Sequence, residues 1–411
     1  MNISPRILFL ATSANSTSGG GRTRIIDVAR LTLQNGLRPM ILCFLRGDQL
    51  NEGFWSLLTA RKALEKEVAC KVIYFPQIPF IRFSIIYRIN NFYCSMILFL
   101  LCRVHKIDLI YGHGQKAGYF GTLVRKIHRK IKIVSDMQGE LSEEAKYGQD
   151  SSKMPDQIKR IEFEQFTTIK ESNWKIFVSH AMQDHFEKKF GISLSDCSVV
   201  PCATMDIPLM SLAERDQIRM MEGLQEKFVI CYAGSAEEYQ LPGEMCKVYK
   251  EILEKLPASF FLILTPQGSV FAQYLDALGI PPTKYKILSV SHIDVIKFLQ
   301  IADIGLLLRD SSLVNKVASP TKFAEYCIAG LPVLMTDAIG DFSDIVKYHE
   351  IGMICDLNEL EVDKRMLDFL SNIHKNRSEY YFRCNSYARE YLTWDVFAPR
   401  LVSKLMELAD Q

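Results

Sequence analysis

The sequence predicts an α/β protein made of two doubly wound domains in series. Three observations carry that prediction. Apolar runs of strand length alternate with longer segments of helical periodicity, the mark of parallel sheets whose connections cross over through helices. The alternation stops near residue 201 and restarts near residue 228. The chain has 411 residues, and domains of roughly 100–200 residues are each large enough to bury a core.

The first series opens with Arg6–Thr12 (RILFLAT), read as a buried strand. A Gly/Ser/Thr loop, Ser13–Gly21, follows. Thr23–Asn35 then disposes Ile25, Ile26, Ala29, Leu31 and Leu33 around a helix that stops at Gly36. Pro39–Leu45, Lys71–Phe75, Asp108–Tyr111, Lys132–Ser135, Lys175–Ser179 and Ser198–Val200 read as six further strands, with a helix from about Ala181 before the last. Pro201–Glu226 holds two prolines, many charges and no strand pattern, and reads as the interdomain connection. Phe228–Ala233 opens the second series, continued by Phe260–Thr265, Tyr285–Leu288, Ile304–Leu308, Pro332–Met335 and Met353–Cys355. Helices are expected between them at about Glu244–Leu256, Val270–Leu278, Ile293–Gln300 and Thr321–Ala329. The expected division is 1–205, 206–377 and a helical C-terminal segment 378–411 that packs back toward the first domain. Ligands of such sheets bind beyond the carboxyl ends of the strands, so the site is expected in a cleft between the domains.

Composition narrows the classes of function. Hydrophobic residues are 48% and charged residues 23%, ordinary for a globular protein and unlike a disordered chain. Lys+Arg is 49 against 47 for Asp+Glu, a balance that argues against a nucleic-acid partner. Yet between Ala60 and Ser135 fourteen Lys/Arg face three acidic residues, Glu65, Glu67 and Asp108. That asymmetry suits an anionic partner, a membrane surface or a phosphate. The eleven cysteines form no CxxC pair and no Cys/His cluster, and read as small core residues in a reducing compartment. No secretory signal is visible. The most apolar stretch, Met96–Cys102 extending back to Phe92, falls short of the ~20 residues of a membrane span. A cytoplasmic location is expected, peripheral on the inner face of the membrane if a basic segment docks there.

Six features can carry chemistry. Ser18-Gly19-Gly20-Gly21 lies between a strand and a helix, where backbone amides approach anions, although the spacing is not GxGxxG; a flexible turn is the other reading. Tyr111-Gly112-His113-Gly114 sets a histidine at a strand's carboxyl end, as a ligand contact or a structural group. Asp136-Met137-Gln138-Gly139-Glu140 clusters polar groups suited to sugar hydroxyls, or a solvated loop. In Ser319-Pro320-Thr321-Lys322-Phe323-Ala324-Glu325, Ser319 reads as an N-cap and Pro320 as the first helical residue. The free amides of that turn and Lys322 form a diphosphate site, with Glu325 placed to accept from a ribose diol. Arg309, ending the strand Ile304–Leu308, can neutralise phosphate charge or make a surface salt bridge. In residues 80–106, Arg82, Arg88, Arg103 and Lys106 interleave with apolar residues, as an interfacial membrane face or as core helices with exposed arginines.

These residues resemble the GT-B glycosyltransferases, specifically the retaining family 4 type, over nearly the whole chain. SPTKFAEYCIAGLPVL (319–334) looks like the donor-binding signature, supported by Gly19–Gly21, IDLIYGHGQKAGYFG (107–121), VSHAM (178–182), VVPC (199–202), Tyr232–Ser235 and Asp337–Gly340. The resemblance implies two Rossmann-like domains and transfer of a sugar, hexosyl or N-acetylhexosaminyl, from a nucleoside diphosphate donor. The acceptor would be a glycan or lipid-linked glycan in surface polysaccharide or lipopolysaccharide assembly. Glu325 would bind the ribose. Ser319, Pro320, Thr321 and Lys322 would hold the diphosphate, with Arg309 and Lys322 as the catalytic cations. Gly20, Gly21, Gly234 and Gly340 would border the donor. His113, Asp136, Gln138 and Glu140 would lie on the acceptor or sugar side. No metal or other cofactor is expected. The chain departs from the family in three places: Val317 stands where a second glutamate is usual, Gly234-Ser235 and Gln240 replace a basic pair, and Gln138 replaces a histidine. Two other readings stay open: a nucleotide-sugar 2-epimerase on the same fold, and a non-catalytic partner subunit.

Overall fold

Strands buried on both faces must be apolar at nearly every position, and the chain obeys this. The computed structural model describes residues 4–12, 20–51, 53–78, 84–147, 155–357 and 361–411. All thirteen expected strands are present, with ends within two residues of those read from the sequence. By contacts the chain divides into two compact units, Met1–Pro201 with Phe397–Gln411, and Cys202–Val396.

The first unit holds β1 (Arg6–Ala11), β2 (Arg38–Leu45), β3 (Lys71–Pro76), β4 (Leu109–His113), β5 (Lys132–Met137), β6 (Trp174–Phe177) and β7 (Cys197–Val199). They form one parallel sheet in the order β3-β2-β1-β4-β5-β6-β7. Its helices are α1 (Gly20–Gln34), α2 (Gly47–Leu50), α3 (Phe54–Val68), α4 (Ser84–His105), α5 (Gln115–Ile127), α6 (Leu141–Lys146), α7 (Pro155–Glu171) and α8 (His180–Phe190). α4 carries the chain from the sheet edge at β3 back to β4 beside β1, so β1 and β4 flank the switch point where such sheets open a crevice.

The second unit repeats the plan. Its strands are β8 (Phe228–Ala233), β9 (Ser259–Leu264), β10 (Tyr285–Leu288), β11 (Ile304–Leu307), β12 (Val333–Thr336) and β13 (Gly352–Cys355), in the parallel order β10-β9-β8-β11-β12-β13. Its helices are α9 (Leu212–Met221), α10 (Pro242–Lys255), α11 (Gly268–Ala277), α12 (His292–Ile301), α13 (Leu313–Lys316), α14 (Thr321–Ile328), α15 (Phe342–His349), α16 (Lys364–Lys375) and α17 (Arg377–Tyr391). A last helix, α18 (Trp394–Asp410), runs from this unit into the first. Alternate residues of β8 serve the two core layers. Val229, Cys231 and Ala233 join Phe323, Tyr326 and Cys327 of α14, while Phe228, Ile230 and Tyr232 join Met245, Tyr249 and Phe271.

At the switch point β8 and β11 pair over only two residues, Ile230 with Ile304 and Cys231 with Gly305. Beyond them the fully buried Tyr326 fills the gap. Its hydroxyl accepts from the Ala233 amide (3.0 Å) and donates to the Leu306 carbonyl (3.2 Å), replacing a ladder bond where the strands part. α14 ends in a Schellman turn. Leu331 N donates to Tyr326 O (2.8 Å) and Gly330 N to Cys327 O (2.9 Å). Gly330 has φ +76°, and a Cβ there would stand 2.3 Å from the Tyr381 ring. Only glycine lets α17 lie this close against α14.

Three expectations are revised. The segment 378–411 does not act as one: α17 packs on α14 in the second unit, and Phe397–Gln411 groups with the first. The connection 201–226 contains α9, whose Arg215 and Arg219 are buried. The apolar stretch ending at Cys102 belongs to a helix of 22 residues. Its Ile85–His105 part, with mean hydropathy 1.5, is long and apolar enough to cross a membrane by length and composition. Arg88, Asn90 and Asn91 interrupt the apolar run in the sequence without interrupting the helix.

Candidate functional site

In the second unit the carboxyl ends of β8 and β11 and the start of α14 meet around two cations. Lys322 projects from the first turn of α14. Its Nζ donates to the Tyr232 hydroxyl (2.9 Å) and to Gln240 Oε1 (2.5 Å), and lies 4.5 Å from the Tyr232 ring centroid. Tyr232 in turn donates to the Ser235 carbonyl (2.5 Å). The absence of a side chain at Gly234 makes the room: a Cβ there would stand 2.4 Å from Lys322 Cε and 2.6 Å from Nζ.

Arg309 lies two residues beyond β11 and is only 6% exposed. The Thr336 hydroxyl fixes its backbone, accepting from Arg309 N (2.8 Å) and donating to Arg309 O (2.6 Å). Nη1 donates to Asn315 Oδ1 (3.1 Å), and the guanidinium sits 5.4 Å from the Tyr239 ring centroid. Nε is buried without a hydrogen-bond partner among the described residues.

The electrostatics follow from these contacts. The hydrogen-bond partners of both side chains among the described residues are neutral. Withdrawal from water pushes the Lys322 amine well below its ordinary pKa, and the nearby charge of Arg309 lowers it further, with Glu325 opposing. Burial lowers Arg309 as well. Two cations held together in a low dielectric create a positive potential that an anion would relieve.

The start of α14 adds to that potential. Its N-cap is Pro320, one residue later than the sequence suggested, and no side chain caps it. Ser319 instead uses its hydroxyl to accept from the Cys202 amide (2.9 Å). The first-turn amides around Thr321 are thus left for water or an anion. Glu325, one turn on, is 8% exposed. Gly340 takes φ +50°, and its amide donates to Asn315 O (3.2 Å), which ties the loop after β12 to the residue that holds Arg309. Val317 is buried at the end of α13, so no carboxylate stands at that position.

In the first unit His113 ends β4 and Gln138 follows β5, with Gln138 Nε2 2.6 Å from His113 Nδ1. They border a cavity of about 290 Å³. Its floor includes Ile25, Ile26, Ile41 and Cys43, and its rim Arg22 and Glu144. Gly20 and Gly21 open α1 just before Arg22. Ser18 and Gly19 lie outside the described residues.

Asp136 and Glu140 have other employment. Asp136 is fully buried, and Arg24 grips both its oxygens, Nε at 2.7 Å and Nη2 at 2.9 Å. Arg24 also donates to the carbonyls of Val200 (3.0 Å) and Pro201 (2.9 Å). The carboxylate therefore organises the sheet end rather than facing an acceptor. Glu140 caps α6. It accepts from Glu143 N (2.5 Å), Ser142 Oγ (2.8 Å) and Lys189 Nζ (2.5 Å). Burial alone would raise its pKa, but nearby His185, 3.9 Å away, and the hydrogen bonds from Lys189 and the backbone bring it down to about 2. A carboxylate depressed in the folded state stabilises above its unfolded pKa and loses that contribution as pH falls through the folded one. Glu140→Gln is expected to cost about 2–3 kcal/mol at neutral pH, with the gap from wild type closing between about pH 5 and pH 2 in urea denaturation.

The residues the sequence did not single out are Tyr239 and Asn315, beside Arg309, and Arg24; Gln240, which the sequence marks only as a departure from the family's basic pair, accepts from Lys322. In the sequence Tyr232 carries signal only within the match Tyr232–Ser235; its ring joins the core, and its hydroxyl accepts from Lys322.

Residues 18–204 match the family model of Glycosyltransferase Family 4. Among solved structures, the fold matches HepE of Anabaena in complex with UDP and glucose, at 16% identity and TM-score 0.72 over 99% of both chains. It also matches sucrose-phosphate synthase of Thermosynechococcus elongatus (11%, TM-score 0.72, 98% of this chain and 99% of that one). A third match is WaaG, a glycosyltransferase involved in lipopolysaccharide biosynthesis (12%, TM-score 0.66, 98% and 99%). No curated protein sequence matches. Each unit is a parallel sheet flanked by helices, and the match to these structures shows the GT-B fold. The family match falls on residues 18–204, within the first unit, and the likeness to these structures is one of fold over nearly the whole chain.

Proposed function

We propose that the protein transfers a hexosyl or N-acetylhexosaminyl group from a nucleoside diphosphate sugar to a glycan or lipid-linked glycan, in surface polysaccharide or lipopolysaccharide assembly. The observation that carries the donor half is the pairing of Arg309 and Lys322, with neutral partners and an unsatisfied Nε, beside the uncapped start of α14. HepE binds UDP and UDP-glucose, which supports a UDP-sugar as the first donor to try. WaaG supports the lipopolysaccharide setting. All eleven cysteines are free, in keeping with a cytoplasmic reaction.

Breaking the bond between the anomeric carbon and the phosphate oxygen leaves an oxocarbenium-like sugar and concentrates charge on the departing diphosphate. Arg309 Nε, Lys322 Nζ and the amides near Thr321 are fixed before reaction, so they stabilise that charge without reorganising. Glu325 accepts from the ribose diol. The acceptor oxygen bonds the anomeric carbon on the face the phosphate leaves, and its proton passes to the departing phosphate oxygen. The anomeric configuration is retained, and no protein base takes part. The cavity beside His113 and Gln138 receives the acceptor. Side-chain cations take the place of a metal in this scheme.

The test is incubation of purified protein with UDP-glucose, UDP-galactose, UDP-N-acetylglucosamine and GDP-mannose, with and without a lipid-linked glycan extract. Acceptor-dependent release of the nucleoside diphosphate, unchanged by EDTA, is expected. Loss of turnover in EDTA would overturn the metal-free scheme. A modified free sugar from donor alone would establish the epimerase. A protein that neither binds nor turns over any nucleotide sugar would be a non-catalytic subunit.

A further inference from the structure

We infer that the outer face of α4 lies in the interfacial plane of an anionic lipid bilayer. The inference is independent of the donor site. α4 turns its asparagines inward and sets a row of large apolar side chains outward, unlike the polar outer face of a helix on a water-facing surface. Asn90 and Asn91 are 1% and 7% exposed. Asn90 Oδ1 accepts from Ile78 N (2.9 Å), Asn91 Oδ1 accepts from Lys116 Nζ (3.2 Å), and the Tyr87 hydroxyl donates to Glu164. Cys94, Leu98 and Cys102 join the core along the rest of that side. On the opposite side Ile85 (65% exposed), Ile89 (51%), Phe92 (68%), Met96 (38%), Leu100 (49%) and Val104 (72%) follow one another at spacings of three and four. They make one stripe, about 30 Å long at the rise of an α-helix.

Charge selects the occupant. No Asp or Glu occurs from Ser84 to Ile107, while Arg88, Arg103 and Lys106 are exposed along the stripe. At its carboxyl end the turn after α5 comes against α4 through His128 and Phe99, ring centroids 6.4 Å apart. That turn adds exposed Lys126, Arg129 and Lys130. A second copy on this face would oppose like charges, whereas an anionic headgroup layer complements them. Although α4 is long enough to span a bilayer, β3 and β4 at its two ends belong to one continuous sheet. The helix therefore lies along the surface.

The test is co-sedimentation with vesicles of phosphatidylcholine alone and of phosphatidylcholine mixed with phosphatidylglycerol. Wild type is expected to bind only the mixed vesicles, and less so in high salt. Ile89→Glu with Phe92→Glu should weaken partition by at least about tenfold, and each of Arg88→Gln and Arg103→Gln by about fivefold. All these side chains are exposed, so the melting temperature should hold. Phe92→Trp gives a second reading: its fluorescence should shift to the blue with mixed vesicles only. Absence of wild-type binding, full binding by the double glutamate variant, or an unshifted tryptophan would overturn the inference. So would a solution dimer, by light scattering, that the double glutamate variant turns into monomers.

Discussion

Lys322→Met and Arg309→Gln are each expected to lower kcat by about 10²–10³-fold, the loss typical of one fixed donor to a developing anion. The loss should fall on kcat more than on KM, because diphosphate charge grows toward the transition state. The folded state should not suffer. Lys322 is an amine withdrawn from water that among the described residues donates to Tyr232 and Gln240, both neutral, so replacing it by an apolar chain of similar length removes a desolvation cost. An unchanged or raised melting temperature with collapsed turnover is the expected pair of results. A large loss of stability with kcat intact would mean that Lys322 is a structural tie. Donor binding should also take up a proton. The free amine holds its proton weakly and a diphosphate strengthens that hold, so affinity falls as pH rises through the free-state pKa. Calorimetry in buffers of different ionisation enthalpy reads the uptake directly, and Lys322→Met should abolish it.

The second large effect is on stability. Asp303 is 2% exposed and sits just before β11. Its Oδ1 takes Arg215 Nη2 (2.9 Å) and Arg377, and its Oδ2 takes Arg219 Nη1 (3.1 Å) and Val229 N (2.7 Å). One carboxylate thus ties α9, α17, β8 and β11 together. Asp303→Ala leaves three guanidinium groups without their counter-charge, two of them 1% exposed. The expected cost is about 3–5 kcal/mol in urea denaturation. A cost under about 1 kcal/mol would mean that the backbone carbonyls of residues 300–302 hold Arg215 and Arg219 unaided.

The thirteen strands were legible because burial on both faces leaves a continuous apolar run, and Gly, Pro and charge mark its ends. The donor corner was legible where its residues lie together in sequence, from Ser319 to Glu325. What escaped are pairings between distant residues. A carboxylate at a strand's carboxyl end reads the same whether it awaits a ligand or meets an arginine 112 positions away, as Asp136 meets Arg24. Asn315 escaped because a small amide in a polar loop carries no periodic signal; only the folded chain sets it against Arg309 and Gly340. The orientation of α4 escaped too, since hydropathy gives the helix its apolar stripe but not the side on which the sheet lies.

The most direct measurement is titration calorimetry of UDP, GDP, ADP and TDP, each against its own nucleoside. For the cognate base, the diphosphate is expected to bind much more tightly than the nucleoside, and Arg309→Gln with Lys322→Met should erase the difference while leaving nucleoside affinity alone. Equal affinity for nucleoside and diphosphate, or a preference that survives in the double variant, would contradict an anion-binding role for this pair.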